Sequence, residues 1–421
     1  MKYMLAYGTE YLQLDIPEQN LLNIVEPRNL ASSVVGDDLI PNALNNPIGS
    51  RTLPEIIKSK SAQNAVIVVN DITRPTPYDI ILPPLLAEIE QAGIPSDSIK
   101  LVVATGIHRP HTSEDNEAIF GDKICKKYVI ENHNCDENLK SLGFLSNGMN
   151  LIINKTVAEA DLLITTGVVA LHYFAGYSGG RKSILPGVAA RELIEANHQM
   201  MSDKRACLGN YENNPVSDIM IEAARRAEVD FIINVVLGSN HDIVFAAAGD
   251  VYEAWMEAVK HCEQINVVNI PQQADIVIAG CGGYPKDINM YQAQKALDAA
   301  VLAVKPGGTI ILGAECREGL GEKTFEEWVI TANSPEDIFK RFSSSFELGG
   351  HKAFAICRIL KQANIILVSN LADEQVQSMF LTPAHSMQEA LTMAMQEQGE
   401  NATLLFMPEA SRLAVKITGQ E

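Results

Sequence analysis

The sequence predicts an α/β fold: two domains, each built on a mainly parallel sheet. Three observations carry this. Short β-branched runs recur along the chain, amphipathic segments alternate with them, and 421 residues exceed what one core usually serves. The runs are NAVIVVND (64–71), IKLVVATG (99–106), ADLLITTG (160–167), DFIINVVLG (230–238), ADIVIAG (274–280), GGTIILG (307–313) and NIILVSN (364–370). They are apolar without alternation, as strands covered on both faces must be. Segments 79–92, 189–200, 215–228, 250–264 and 291–304 have helical spacing and supply the crossovers between parallel strands. The polar, proline-containing INVVNIPQQAD (265–275) marks the boundary, giving an N-terminal domain over 1–267 and a C-terminal one over 268–421. The last run, TLLFMPEASRLAVKI (403–417), is free to pack on either.

Composition excludes several classes of function. With 33 Lys plus Arg against 52 Asp plus Glu, the net charge of −19 repels nucleic acid and anionic membranes. The beginning, MKYMLAYGTEYLQLDIP, meets acidic residues before any apolar stretch of signal-peptide length, and no later run reaches the roughly 18 apolar residues of a span. A cytoplasmic protein is expected. Seven scattered cysteines form no Cys-x-x-Cys pair, so reduced thiols are expected rather than disulfides or structural zinc.

In an open parallel sheet, ligands bind beyond the carboxyl ends of strands, and that rule ranks the motifs. Asp71-Ile72-Thr73-Arg74-Pro75 follows the first run: an acid suited to ribose hydroxyls shares a rigid turn with an arginine suited to a carboxylate or phosphate. Gly106-Ile107-His108-Arg109-Pro110 follows the second and offers His108 as an acid or base. His111, past the proline, reads as exposed or helix-capping.

The richest stretch, HYFAGYSGGRKSILPG (172–187), follows ADLLITTG and leads into a helix carrying His198. Gly176, Gly179 and Gly180 with Arg181, Lys182 and Ser183 suggest an anion cradle, but Arg181 separates Gly180 from Lys182, so the P-loop register is missed by one residue. Arg181 beside Lys182 should depress the lysine's pKa and make it a nucleophile, and two cations on one phosphate is the noncovalent alternative. His198 suits either a metal or a helix end. In the second domain Gln292 and Lys295 share one helix face, suited to an anionic substrate.

Taken together, DxxRP, GxHRP, HYFAGYSGGRKSILPG, ANH (196–198) and MYQAQK (290–295) resemble the nickel-dependent lactate racemase family, over about residues 45–410. The resemblance implies two α/β domains with the active site in the cleft between them. It also implies a nickel pincer nucleotide, a pyridinium mononucleotide holding nickel through carbon and sulfur. By position Lys182 is the covalent attachment point and His198 the protein ligand to nickel. His108 and His172 match the acid/base pair, Asp71, Ile72, Thr73 and Arg74 the cofactor-contacting turn, and Arg74, Gln292 and Lys295 the substrate-binding groups. The implied reaction is racemisation or epimerisation of a 2-hydroxy acid: hydride leaves while a base takes the hydroxyl proton, and its return to the other face of the planar 2-oxo acid inverts the centre. Two histidines, one per face, suit that demand.

A tryptophan expected shortly before AFAICRIL (353–360) is replaced by Gly349-Gly350-His351-Lys352, which implies a more polar pocket and makes a larger or more acidic 2-hydroxy acid, or a sugar acid, as plausible a substrate as lactate. The implied partners are a small 2-hydroxy acid and, transiently, the proteins that make the cofactor. A homodimer is compatible with the sequence. Two other classes stay open: a nucleotide-dependent phosphotransferase using loop 176–183, and a noncatalytic small-molecule binding protein.

Overall fold

A computed structural model describes residues 1–28, 38–238, 241–344 and 346–418. The chain divides into two compact units, Asn29–Ile265 and Met1–Arg28 with Asn266–Glu421, and both are mixed α/β.

The sheet of the Asn29–Ile265 unit runs, in spatial order, Ile243–Gly249, Phe231–Leu237, Leu162–Val168, Ala65–Asn70, Ile99–Ala104 and Val129–Asn132. All neighbours pair in parallel except the edge strand Ile243–Gly249. This is the doubly wound order, in which the first three strands run outward one way and the remainder the other. Alternate side chains fill two layers. Ile67, Val69, Leu101, Val103, Ile164 and Ile233 join a cluster with Ile81, Leu85 and Leu86 of the helix Tyr78–Gln91, while Val66, Val68, Val102 and Leu163 are equally buried on the opposite face. Burial on both faces is why these strands read as unbroken apolar runs.

The other unit corrects the domain assignment at the beginning of the chain. Its sheet, Thr382–Ala384, Asn364–Val368, Val304–Gly313, Ala274–Gly280, Leu404–Met407 and Leu21–Ile24, is parallel throughout. Residues 1–28, taken as part of the N-terminal domain, supply its edge strand Leu21–Ile24 and the antiparallel hairpin Lys2–Tyr7 with Glu10–Asp15. The closing run 403–417 stays here as well, contributing Leu404–Met407 to the sheet. Within 265–275, the supposed linker, Val267–Ile270 is a strand paired with Ala414–Ile417. A chain end can add a strand to a sheet formed by residues far away in sequence, and no local pattern announces it.

Leu5 shows what the hairpin does. It is 0% exposed and shares a cluster with Leu14, Ile16, Ile276, Ile278 and Ile311. It also lies against the carboxyl ends of two central strands, where a Cβ on Gly280 or Gly313 would come within 2.8 or 2.7 Å of its side chain. Leu5→Ala is therefore expected to cost about 2–5 kcal/mol in urea unfolding. Hydrogen exchange should accelerate in strands 274–280 and 304–313 and not in 65–70, and the reverse pattern would contradict the assignment of residues 1–28 to this unit.

Candidate active site

Strands Ala65–Asn70 and Leu162–Val168 are neighbours whose onward connections leave in opposite directions, so the switch point of the first sheet lies between them. The segments that emerge there and from Ile99–Ala104 beside them carry every N-terminal residue singled out from sequence except His198, which the following helix Arg191–Gln199 adds.

Asp71 and His108 meet first. Asp71 is 3% exposed; its Oδ2 lies 2.6 Å from His108 Nδ1, and Thr73 Oγ1 donates to its Oδ1 at 2.7 Å. Burial alone would raise this carboxyl, but the bonds from His108 and Thr73 and the charges of His108 and Arg74 prevail, leaving it below its ordinary range. Each oxygen thus has a partner in the protein, and through Oδ2 Asp71 orients the His108 ring. With Nδ1–H turned to a carboxylate, the neutral ring carries its lone pair on Nε2, the form of a base. His111, expected to be exposed or capping, is buried, its Nε2 accepting the N–H of Ile72 at 2.8 Å. Arg109 belongs to the surface, ion-paired with Asp115.

The glycine-rich loop is built differently from an anion cradle. Arg181 is 0% exposed, stacked 3.8 Å over the Trp255 ring, and its guanidinium donates to the carbonyls of Ala175, Tyr177 and Ser178 and to Ser217 Oγ. Burial pushes its pKa down to about 9, with Asp218 pulling the other way. Ser183 Oγ donates to Thr166 O at 2.8 Å, and the N–H of Gly180 is bonded to Asn234 Oδ1 at 2.7 Å. The glycines serve close packing: a Cβ on Gly176 would lie 2.2 Å from Asn210 O, and one on Gly179 2.6 Å from Trp255. The donors that sequence assigned to a phosphate are spent inside the loop.

Lys182 differs from its neighbours. It is buried, and burial, then the charges of Arg74 and Arg181, hold its amine well below the ordinary value, so the uncharged, nucleophilic form is favoured. Its Nζ lies 5.6 Å from the centre of the Phe174 ring. The same ring stands edge-on to His198, at 5.0 Å, and to His172, at 4.6 Å. Phe174, 2% exposed and missed from sequence, thereby gathers Lys182 and two histidines around one apolar surface. The aromatic run of HYFAGY was its only local sign.

His198 donates Nδ1–H to Ile194 O at 2.8 Å one turn back, which puts the lone pair on Nε2. Burial first, then the charge of Lys182, push its pKa down to about 3, and Arg74 and His108 act in the same direction, so the ring is neutral. His172 has the other tautomer: its Nδ1 accepts the N–H of Ala175 at 3.2 Å, leaving the proton on Nε2. Among the described residues no group of three or more His, Cys, Asp or Glu side chains could hold a metal ion unaided.

Gln292 and Lys295 belong to the other unit, on the helix Met290–Ala303, where Lys295 Nζ donates to Gln292 Oε1 at 2.7 Å. The polar wall inferred from Gly349 to Lys352 is not one. His351 is buried against Tyr291 and Phe346, and Lys352, 3% exposed, donates to Gln294 Oε1 at 2.6 Å, while Gln294 Nε2 reaches Asp298. Burial lowers Lys352 and raises Asp298, each partly offset by the other's charge. Gly350 gives room to the Trp328 ring, which a Cβ would meet at 2.3 Å. These polar groups are consumed by the core of their unit.

A buried lysine shifted towards its uncharged form, an orienting carboxylate behind one histidine and a backbone-fixed second histidine, at the switch point of a doubly wound sheet, define an α/β enzyme rather than a passive binding module. Comparison with known proteins sharpens the class. Residues 7–209 match the lactate racemase N-terminal domain and residues 269–415 the lactate racemase C-terminal domain. The chain is 36% identical to the lactate racemase of Thermoanaerobacterium thermosaccharolyticum, over 98% of each chain, and 36% identical to that of Lactiplantibacillus plantarum, over 98% of this chain and 99% of the other. The structure of the lactate racemase apoprotein from T. thermosaccharolyticum superposes with a TM-score of 0.91 at 35% identity, covering 99% of this chain and all of that one. A Thermotoga maritima protein shares the fold, at 17% identity and a TM-score of 0.60. The chain belongs to the lactate racemase family and is an isomerase. The similarity extends beyond residues 45–410 at both ends.

Two measurements check the construction of the site. Arg181→Lys keeps the charge but cannot reach the fork of carbonyl and hydroxyl acceptors, so a loss of about 2–4 kcal/mol in unfolding free energy is expected for the unloaded protein. Unchanged stability would return Arg181 to the role of ligand cation. His133, after the strand Val129–Asn132, donates Nε2–H to Ala189 O, and burial pushes its pKa down to about 4. The unfolded imidazole takes its proton first, near 6.5, so this contribution to stability is whole above about pH 6.5 and is lost as pH falls towards 4. Urea midpoints of His133→Gln should therefore fall less than those of the wild type between pH 7.5 and 4.5, and parallel curves would refute the neutral buried ring.

Proposed function

We propose that the chain is a lactate racemase, working by reversible hydride transfer with a nickel pincer nucleotide tethered to Lys182. The observation that carries this reading is the gathering of Lys182, His198 and His172 about Phe174, with the Asp71–His108 pair at the same switch point. The names of its relatives point to the same substrate.

The residues fit the cofactor. Lys182 has an amine shifted towards the neutral form that acylation needs, and His198 has the Nε2 lone pair that a metal needs, its ring angle fixed through Ile194. A single protein ligand suits an ion whose remaining ligands come from the cofactor. When bound, the cofactor supplies a reversible acceptor for hydride from the carbinol carbon.

The chain's own residues do the rest. For one enantiomer His108 Nε2 takes the hydroxyl proton, and Asp71 steadies the imidazolium that results. For the other, His172 has the same task, and its ring must first give up the tautomer fixed by Ala175, whose Nε2–H is a hydrogen-bond donor to the substrate oxygen. Arg74, whose charge reaches both Lys182 and His198, holds the substrate carboxylate. With His351 and Lys352 buried, lactate is a better first substrate than a larger acid, and the phosphotransferase reading loses the donors of its loop. The substrate and the cofactor-making proteins are the expected partners, acting in the cytoplasm. No helix among the described residues is long and apolar enough to cross a membrane.

Enzyme produced together with the cofactor-making proteins should abolish the optical rotation of L-lactate and of D-lactate. Lys182→Ala should fold, lack the covalent mass increment and be inactive. Absence of turnover on lactate and on a panel of other 2-hydroxy acids, or an adduct persisting on Lys182→Ala, would refute the proposal.

A further inference from the structure

His111 is 7% exposed, and four of its polar groups are engaged. Its Nε2 accepts the N–H of Ile72 at 2.8 Å, which makes Nδ1 the protonated nitrogen, 3.0 Å from Asn116 Oδ1. Its main-chain N–H donates to Asn132 Oδ1 at 3.0 Å, and Asn132 Nδ2 donates back to its carbonyl at 3.0 Å. One residue thus joins the turn after Ala65–Asn70, the loop after Ile99–Ala104 and the end of Val129–Asn132. The ring lies 6.4 Å from Phe120, which packs on Tyr78, and the Tyr78 hydroxyl meets Asn70 N and Thr166 Oγ1.

The turn needs such a fastening. Residues 72–75 are exposed, so burial does not hold them. Internally the turn has the bond from Arg74 N to Asp71 O, at 3.0 Å, and that from Thr73 to Asp71. The bond from Ile72 to His111 ties its backbone to the neighbouring loop. Asp71 and Ile72 share a peptide plane, so anchoring the Ile72 N–H sets the direction of the Asp71 backbone and of the carboxylate that meets His108 at 2.6 Å.

We infer that His111 is a positioning residue of the reaction, acting through Ile72 on the Asp71–His108 pair. The inference rests on the function proposed above, and it predicts a need for an acceptor at Nε2 that simple packing would not have. Gln can present an oxygen there, whereas Leu cannot.

The test combines amide hydrogen exchange with kinetics on enzyme made alongside the cofactor-making proteins. In His111→Leu the Ile72 amide should exchange at least about tenfold faster. Its kcat for lactate should fall about tenfold to a hundredfold, with KM within about twofold and the Lys182 adduct still present by intact mass. His111→Gln should recover most of both the protection and kcat. A merely structural role would reduce the folded fraction without changing kcat per folded molecule or distinguishing Gln from Leu. Should His111→Leu not fold, Asn116→Leu carries the test: it leaves His111 in place, removes the acceptor of Nδ1–H, and should raise Ile72 exchange and lower kcat together. Wild-type kcat in folded His111→Leu, or rapid Ile72 exchange in the wild type, overturns the inference. A wild type that racemises nothing would instead refute the proposed function, and the Ile72 exchange data would still decide on the brace.

Discussion

The candidate site depends on a buried guanidinium. Arg181 has no carboxylate within hydrogen-bonding range in the described residues; it is stabilised by three carbonyls of its own loop, the hydroxyl of Ser217 and the face of Trp255. A planar fork of donors is the one side chain that can satisfy several diverging carbonyls at once. Closing the loop on itself in this way fixes the residues on either side: Phe174 ahead of the clamp and Lys182 directly after it. The glycines at 176 and 179 follow from the same closure, since the chain passes too near Asn210 and Trp255 to admit a Cβ.

This arrangement gives an acidic protein a locally cationic pocket. Arg74 and Arg181 act on Lys182, and Lys182 and Arg74 act on His198, while burial makes Lys182 and His198 costlier to charge. The result is a lysine shifted towards its uncharged form, in which it can attack a carbonyl carbon, and a neutral histidine, which can hold a metal. Asp71 answers differently: it remains charged, because His108, Thr73 and Arg74 more than offset its burial. Opposite outcomes for groups at one sheet end are what fit them for different chemical tasks.

Much of the fold was legible because strands buried on both faces leave unbroken apolar runs, and the seven that stand out are strands. Those that escaped are short or half-exposed, as Val129–Asn132 is, or rich in small residues, as Ile243–Gly249 is. The site was legible to the extent that its reactive groups fall just beyond strand ends. What each group touches was not. Arg181 and Ser183 look like anion binders until their partners prove to be main-chain carbonyls, His111 looks like a surface residue until it meets Ile72, and Lys352 looks like a pocket wall until it meets Gln294.

The sequence by itself determined the α/β class, the placement of Asp71, His108 and Lys182 beyond the strands and of His198 on the helix that follows, and, through its motifs, the family. These are properties of local order along the chain, set by side-chain periodicity and by what a strand end can carry. Tertiary structure alone decided that residues 1–28 complete the C-terminal unit, that Asp71 serves His108, and that Phe174 gathers Lys182, His172 and His198. Each joins groups distant in sequence or on separate turns, and the direction of a side chain depends on which neighbours have already claimed its donors and acceptors.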